Sequence, residues 1–258
     1  MNKLYIDCST GIAGDMLTSA LLDLLDNEQQ QNFLKITNNL LANTKTTYRR
    51  IHKFDMDGST IDVIVDKNQE EFSEDVHEKK LSSLKIPQNS LDEKQPNQVI
   101  KNFDISKESK KRVIDIFELL MDTESFVHHT PKKHDIHFNK IGSIDALIDI
   151  TNICLLLEIL DIETIVASSV NTGYGQVKYN QKVFSVPAPA TKKILEDIPN
   201  FHSDIYGELC TPTGVAVLKK ITSEYMNWNY SKNNIKKIGI GFGQKEFNKP
   251  TFVKCILY

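Results

Sequence analysis

Four groups of residues in this sequence have types and spacing that could do chemistry. In the first, Asp7 and Asp15 flank the small-residue run Cys8-Ser9-Thr10-Gly11-Ile12-Ala13-Gly14, which separates a short apolar stretch from a helical pattern. A glycine loop at such a junction offers backbone N–H groups to an anion such as phosphate, and flanking carboxylates could hold a divalent cation that bridges to it. The same residues also suit an ordinary tight turn with Asp15 favoured by the helix dipole, and the loop is neither a Walker nor a Rossmann pattern. The second group is Asp145, Asp149 and Asn152, spaced four and three, which forms one polar stripe on a helix otherwise made of Ile, Leu, Ala and Cys. Carboxylates in a core must meet a cation, hydrogen-bond donors or a water-filled cleft. They suit a base or a ligand. Alternatively, Asp145 complements the helix N-terminus and Asp149 pairs with a lysine.

The third group runs from Glu124 to His137. Glu124 and His128 stand one helical turn apart, and His129, His134 and His137 follow, giving five candidate ligands within fourteen positions. Imidazole with carboxylate suits a borderline metal such as nickel or zinc, although the spacing is not a zinc-finger or H-E-x-x-H pattern and a solvated loop is the other reading. The fourth group is Glu208-Leu-Cys-Thr211-Pro212-Thr213-Gly214, a turn at a helix start whose hydroxyls could bind phosphate or carboxylate oxygens, with Thr213 equally suited to cap the helix. His52, His77 and His202 lie in polar surroundings and are expected at the surface.

The elements that must position these groups follow from periodicity. Leu4–Ile6 reads as a strand. Met16, Leu17, Ala20, Leu21, Leu24 and Leu25 mark a core-facing helix from Asp15, and a more polar helix is expected from Glu28 to Leu41. Strands are expected between Tyr48 and Val65, with Asp57-Gly58 as the hairpin turn. Helical periodicity resumes at Val113 and runs to about His128, and a short strand carries Ile136–Phe138. Ser143 can cap a helix over Ile144–Leu160 that is apolar nearly all round and therefore central. Strand-like runs at Thr164–Ser169, Val183–Val186, Asn234–Ile240 and Thr251–Leu257 alternate with helices starting at Pro189 and near Val215. This alternation predicts an α/β fold, a mixed sheet covered by helices. Residues 67–102, rich in Lys, Glu, Gln, Asn and Ser, read as a polar mobile insertion between an N-terminal α/β segment (1–66) and the remainder of the same compact unit (103–258).

At 258 residues the chain can bury a substantial core. Lys+Arg 31 against Asp+Glu 34 gives a net charge of -3, which offers no reason to expect nucleic acid as a partner. Cys8, Cys154, Cys210 and Cys255 lie far apart without a C-x-x-C pair, which fits reduced thiols and a cytoplasmic protein. The strand-like start meets Asp7 too early for a signal peptide, and no apolar stretch reaches the ~20 residues needed to span a bilayer.

Taken in order, these segments resemble one family, the lactate racemase nickel-insertion proteins (LarC). The similar segments are Asp7 to Met16, Thr123 to His128, His137 to Ile150, Ser185 to Thr191, Gly207 to Gly214, and Gly239, Gly241 and Gly243 with Pro250, so that the resemblance covers nearly the whole chain. It implies an enzyme of the lyase class, a nickel chelatase that inserts nickel into a pyridinium mononucleotide bearing two thiocarboxylates, forming a carbon–nickel bond. In the family the reaction depends on CTP with a divalent cation, manganese or magnesium, and matures a nickel-dependent racemase. Asp7, Ser9, Gly11, Gly14, Asp15, Glu208, Thr211 and Thr213 are then expected to bind the mononucleotide and cation, Glu124, His128 and His137 the nickel, and Asp145 or Asp149 to act as base. The sequence departs from the family at Asn139 and Lys140, where a histidine and a glutamate are usual, and at Gln181-Lys182, where a histidine-glycine pair is usual. Family members carry a further C-terminal domain implicated in binding CTP, expected here as a separate partner chain. The alternatives are a diverged module that binds a mononucleotide or metal without inserting it, and a metal-dependent phosphate-ester hydrolase built on Asp7, Asp15 and Asp145.

Overall fold

A computed structural model describes residues 2–41, 44–65, 95–127, 144–179, 182–228 and 234–258. Strand β1 (Asn2–Asp7) leads through the glycine loop to α1 (Gly14–Asp23) and α2 (Asn27–Thr37). The hairpin β2 (Thr44–Lys53) and β3 (Met56–Val65) follows, then α3 (Gln95–Lys101), α4 (Lys107–Val127) and α5 (Ile144–Ile159). Next come β4 (Ile162–Ala167), β5 (Val170–Asn171), β6 (Gly173–Tyr174), β7 (Gln176–Tyr179), β8 (Lys182–Ser185) and α6 (Pro189–Ile194). The chain closes with β9 (Asn200–Phe201), β10 (Gly207–Glu208), α7 (Pro212–Ile221), β11 (Glu224–Tyr225), β12 (Lys237–Phe242) and β13 (Phe252–Leu257).

Among the described residues, seven strands form one mixed sheet in the order β11-β4-β1-β13-β12-β3-β2. β1 runs parallel to β4 and β4 to β11, while β13 is antiparallel to both β1 and β12. The expected α/β class holds, and β1 to β3 share the sheet with the strands after residue 103. Because β12 is antiparallel to β13, and β13 to β1, the carboxyl ends of β1, β4 and β12 lie on one edge of the sheet. That edge is where open α/β sheets place their ligands, since loops and helix N-termini converge there.

Side chains alternate across β1: Leu4 and Ile6 enter the main core under the helices, whereas Tyr5 joins Val166 and Ile256 on the other face. There Tyr5 lies 4.9 Å from the Trp228 ring. α1 packs on β3, β12 and β13, and α5 packs against both α1 and α4. The expectation that α5 is central is met, with Leu147, Ile148, Ile150, Ile153, Cys154, Leu156 and Leu157 at most 2% exposed. Each fully buried Leu or Ile contributes roughly 1.5–3 kcal/mol, so this helix is a main anchor of the site.

Two expectations need correction. The hairpin turn falls at Phe54-Asp55, whose φ angles are 54° and 56°, and Asp57 and Gly58 lie inside β3 opposite His52 and Ile51. The two-residue loop needs left-handed backbone at both positions, and Asp55 adopts it readily. The glycine serves another purpose: a Cβ at 58 would meet the Phe242 ring at 2.7 Å. The second helix ends at Thr37, and its start is fixed by a capping box between Asp26 and Gln29. Of the polar insertion, 67–94 lies outside the described residues; its end carries α3, whose Ile100 is wholly buried, and Phe103, just past it, is 4% exposed.

Candidate functional site

The site begins where β1 ends. Asp7 is half-buried, its Oδ1 accepts the Ser9 N–H at 3.0 Å, and its Oδ2 lies 3.6 Å from Lys254 Nζ. The chain then turns through Gly11 at φ 114°, where the Gly11 N–H donates to Cys8 O at 3.0 Å. Ile12 N donates to Leu209 O at 2.9 Å and Thr211 N donates to Ile12 O at 3.0 Å, so the glycine loop is laid against the segment 209–211 as a short parallel bridge. A Cβ at Gly11 would sit 2.2 Å from Leu209 O, which makes glycine obligatory on both conformational and steric grounds. The first and fourth groups of the sequence are therefore one structure. Thr211 caps α7 by accepting the Gly214 N–H at 3.2 Å, which corrects the assignment of that role to Thr213. Thr213 is half-buried in the first turn of α7, Ser9 is exposed, and Glu208 is 7% exposed.

Asn171, which lies in none of the four groups, joins these segments. Its Nδ2 donates to Ser9 O and Ser203 Oγ, both at 3.0 Å, while its Oδ1 accepts from Gly173 N at 3.1 Å and Ser203 N at 3.2 Å. Its backbone N–H donates to Cys8 O at 3.1 Å. Little in the local sequence announces such a hub, because every partner but Gly173 is more than thirty positions away. Burial pushes the thiols of Cys210 up to about 12 and of Cys8 and Cys255 further upward, the neighbouring acidic groups adding to it. All four cysteines are buried and free.

The second group meets the first across the N-terminus of α1. A Cβ at Gly14 would lie 2.5 Å from Asp149 Oδ2 and 2.9 Å from Asp149 Cβ, so the carboxyl of Asp149 occupies the space a side chain would fill. Next to it, Asp15 Oδ1 accepts the Met16 N–H at 2.8 Å and Oδ2 accepts the Gln244 N–H at 3.4 Å. Burial raises the Asp15 pKa, and these donors offset part of that shift. Burial also raises Asp149 well above the usual carboxylate range, and the like charges of Asp15 and Asp145 push in the same direction. Among the described residues no lysine contributes to this shift. The stripe on α5 is graded: Asp145 is exposed, Asp149 half-buried, and Asn152 wholly buried, with its Oδ1 accepting from Thr37 Oγ1 at 2.5 Å. A carboxyl whose pKa is raised by burial is a stronger proton acceptor than an ordinary one, and two carboxylates side by side suit a cation.

Glu124 lies in the last turn of α4. Ser109 Oγ at the start of α4 donates to Glu158 Oε2 near the end of α5 at 2.5 Å, so the two helices run antiparallel and Glu124 lies toward the end where α5 begins, as Asp149 does. His128 and His137, and with them His77, His129, His134, Asn139, Lys140, Gln181 and the strand expected at 136–138, fall outside the described residues. Among the described residues no group of three His, Cys, Asp or Glu is arranged to hold a metal ion. His52 is exposed and lies 2.9 Å from Asp57, and His202 is exposed, as expected. No helix among the described residues is long and apolar enough to cross a membrane.

The fold and the site define a mixed-sheet α/β protein whose polar groups, above all the Asp15–Asp149 pair, gather at the carboxyl edge of the sheet. A family model described as nickel insertion protein matches residues 4–258, and the chain belongs to that family. It is 36% identical, over its whole length, to the pyridinium-3,5-bisthiocarboxylic acid mononucleotide nickel insertion protein of Staphylococcus saprophyticus, of which it covers 60%. Proteins of the same name from Staphylococcus epidermidis and Lactiplantibacillus plantarum are 33% and 29% identical over 99% and 100% of the chain, which covers 59% and 62% of them. The chain thus spans about 60% of the length of these curated relatives. No solved structure matches it.

Proposed function

We propose that this chain carries part of a nickel-insertion enzyme that acts on a pyridinium bisthiocarboxylate mononucleotide, with Asp149 as the proton acceptor and Asp15 as its partner. The observation that carries the assignment is the seating of the Asp149 carboxyl in the gap left by Gly14, beside Asp15, where burial raises both pKa values. The names of the relatives supply the substrate and the cargo. Insertion replaces a ring C–H bond by a carbon–nickel bond. The proton lost must go to a base, and one whose pKa lies above the ordinary carboxylate value of ~3.9 is better matched to neutral pH.

In this reading Glu124, His128 and His137 hold incoming nickel before the thiocarboxylate sulfurs take it, since Ni(II) is bound by imidazole and by softer sulfur alike. The paired, mutually repelling carboxylates of Asp15 and Asp149 also fit a divalent cation such as manganese or magnesium, which would neutralise bound phosphate when present. Asp7 fits such a role less well, because Ser9 and Lys254 already engage it. The lyase class, the use of CTP, a cytoplasmic setting and a second chain or domain supplying the remaining length of the relatives belong to the same proposal.

The test is reconstitution. The purified chain, with and without the C-terminal part of the family as a partner, is given the bisthiocarboxylated pyridinium mononucleotide, nickel, CTP and manganese. The nickel-containing product is followed by mass spectrometry. Asp149→Asn is expected to lower the rate about 100-fold or more. Product formed by that variant at the wild-type rate removes Asp149 from the mechanism, and no product from the wild type with its partner removes the function.

A further inference from the structure

We infer that the open cleft formed by Gln176, Lys178, Tyr206, Gly207, Lys245 and Phe247 holds the phosphate and ring of a pyridinium mononucleotide; this rests on the nickel-insertion reading and locates its substrate. The cleft encloses about 610 Å³, within the ~300–1,000 Å³ typical of small-molecule sites. It adjoins the carboxylate pair by two short stretches of chain. Gln244, which donates to Asp15, is followed directly by Lys245, and Gly207-Glu208 is followed by Leu209, whose carbonyl accepts from Ile12 in the glycine loop.

The glycine loop itself is a poor phosphate cradle, because the N–H groups of Ser9, Gly11 and Ile12 already donate within the protein. The cleft has what the loop lacks. Among the described residues, Lys178 and Lys245 form no ion pair, and the one acid of the cleft wall, Glu246, lies 3.4 Å from Lys53. In a chain of net charge -3 this leaves two uncompensated cations facing one cavity, which is the electrostatic signature of an anion site.

Tyr206 supplies a surface for the ring. It is 58% exposed, yet its side chain is pinned: a Cβ at Gly175 would lie 2.3 Å from Tyr206 Cε2, and Tyr174 meets its ring edge-on at 5.5 Å. An exposed aromatic ring held rigid by its neighbours presents a π-face at little entropic cost, and a cationic pyridinium ring is a favourable partner for it. Lys245 Nζ lies 5.2 Å from the Phe247 ring centre, which steadies the ammonium at the mouth of the cleft.

The test is calorimetric titration of the intact chain with nicotinamide mononucleotide as the probe and nicotinamide riboside and inorganic phosphate in parallel. Binding of the mononucleotide is expected to weaken about tenfold or more in the Lys178→Ala/Lys245→Ala double variant and severalfold in Tyr206→Ala, and the riboside should bind the wild type about as weakly as the mononucleotide binds the double variant. Three outcomes overturn the inference: no binding of the mononucleotide at millimolar concentration, unchanged affinity in the double variant, or inorganic phosphate binding as tightly as the mononucleotide. The two proposals fail separately. Mononucleotide binding that needs the lysines, with no nickel product from the wild type, leaves the cleft and removes the reaction; product formed by the double variant with unchanged KM does the reverse.

Discussion

The junction at Gly11 and the cleft at Lys245 lie side by side at the carboxyl edge of the sheet and are built on opposite terms. At the junction the polar backbone groups are spent inside the protein: Gly11 on Cys8, Ile12 on Leu209, Thr211 on Ile12, with Asn171 holding Cys8, Ser9 and Ser203. In the cleft the lysines carry no ion pair among the described residues, and the aromatic ring of Tyr206 is fixed but exposed. The glycines are the scaffold and the cations are the reception surface. Beside the junction, the Asp149 carboxyl fills the gap at Gly14 next to Asp15, where burial raises both pKa values.

That contrast can be broken from the scaffold side with the largest effect. Gly11→Ala is expected to lose ~3–5 kcal/mol in urea denaturation, or to fail to fold, because the new Cβ meets Leu209 O in a left-handed backbone. Asn171→Ala removes four side-chain hydrogen bonds in a buried position and should lose ~2–3 kcal/mol by the same measurement. Loss under 0.5 kcal/mol in either would show that the junction is not the scaffold described.

The carboxylate pair sharpens the comparison with an effect of opposite sign. A carboxyl whose folded pKa is raised binds its proton more tightly in the native state, so it favours folding below the unfolded value of ~3.9 and loses that contribution as pH rises through the folded value. Asp149→Asn should therefore gain ~1–2 kcal/mol at pH 7–8 and flatten the decline of stability above pH ~4, while reducing product formation. A variant no more stable than the wild type at pH 8 would mean that the carboxyl is not strained. The smallest effect belongs to the cleft: Lys245→Ala should change thermal stability by less than ~0.5 kcal/mol, because Lys245 is exposed and forms no ion pair among the described residues.

Much of this site was legible along the chain. The loop Asp7 to Asp15, the stripe Asp145-Asp149-Asn152 and the turn Glu208 to Gly214 were each visible, because helix and strand periodicities are local and small-residue turns punctuate them. Their meeting was not. That Ile12 bridges Cys210, or that Gly14 makes room for Asp149, depends on contacts between residues more than a hundred positions apart. Asp57-Gly58 misled because an Asp-Gly pair fits a type I′ turn, whereas here the glycine answers to Phe242 from another strand.

The sequence by itself determined the α/β class, the buried helix Ile144–Ile159, the family membership and the chemical candidates, since these depend on composition, periodicity and the order of motifs. Only the tertiary structure decided which candidates act together. Strand order brings β1, β4 and β12 to one edge, and burial raises the pKa values of Asp15 and Asp149 while Lys178 and Lys245 stay at the surface. Burial and long-range contact are properties of the packed chain, and a carboxylate acquires its pKa from its surroundings rather than from its position in the sequence.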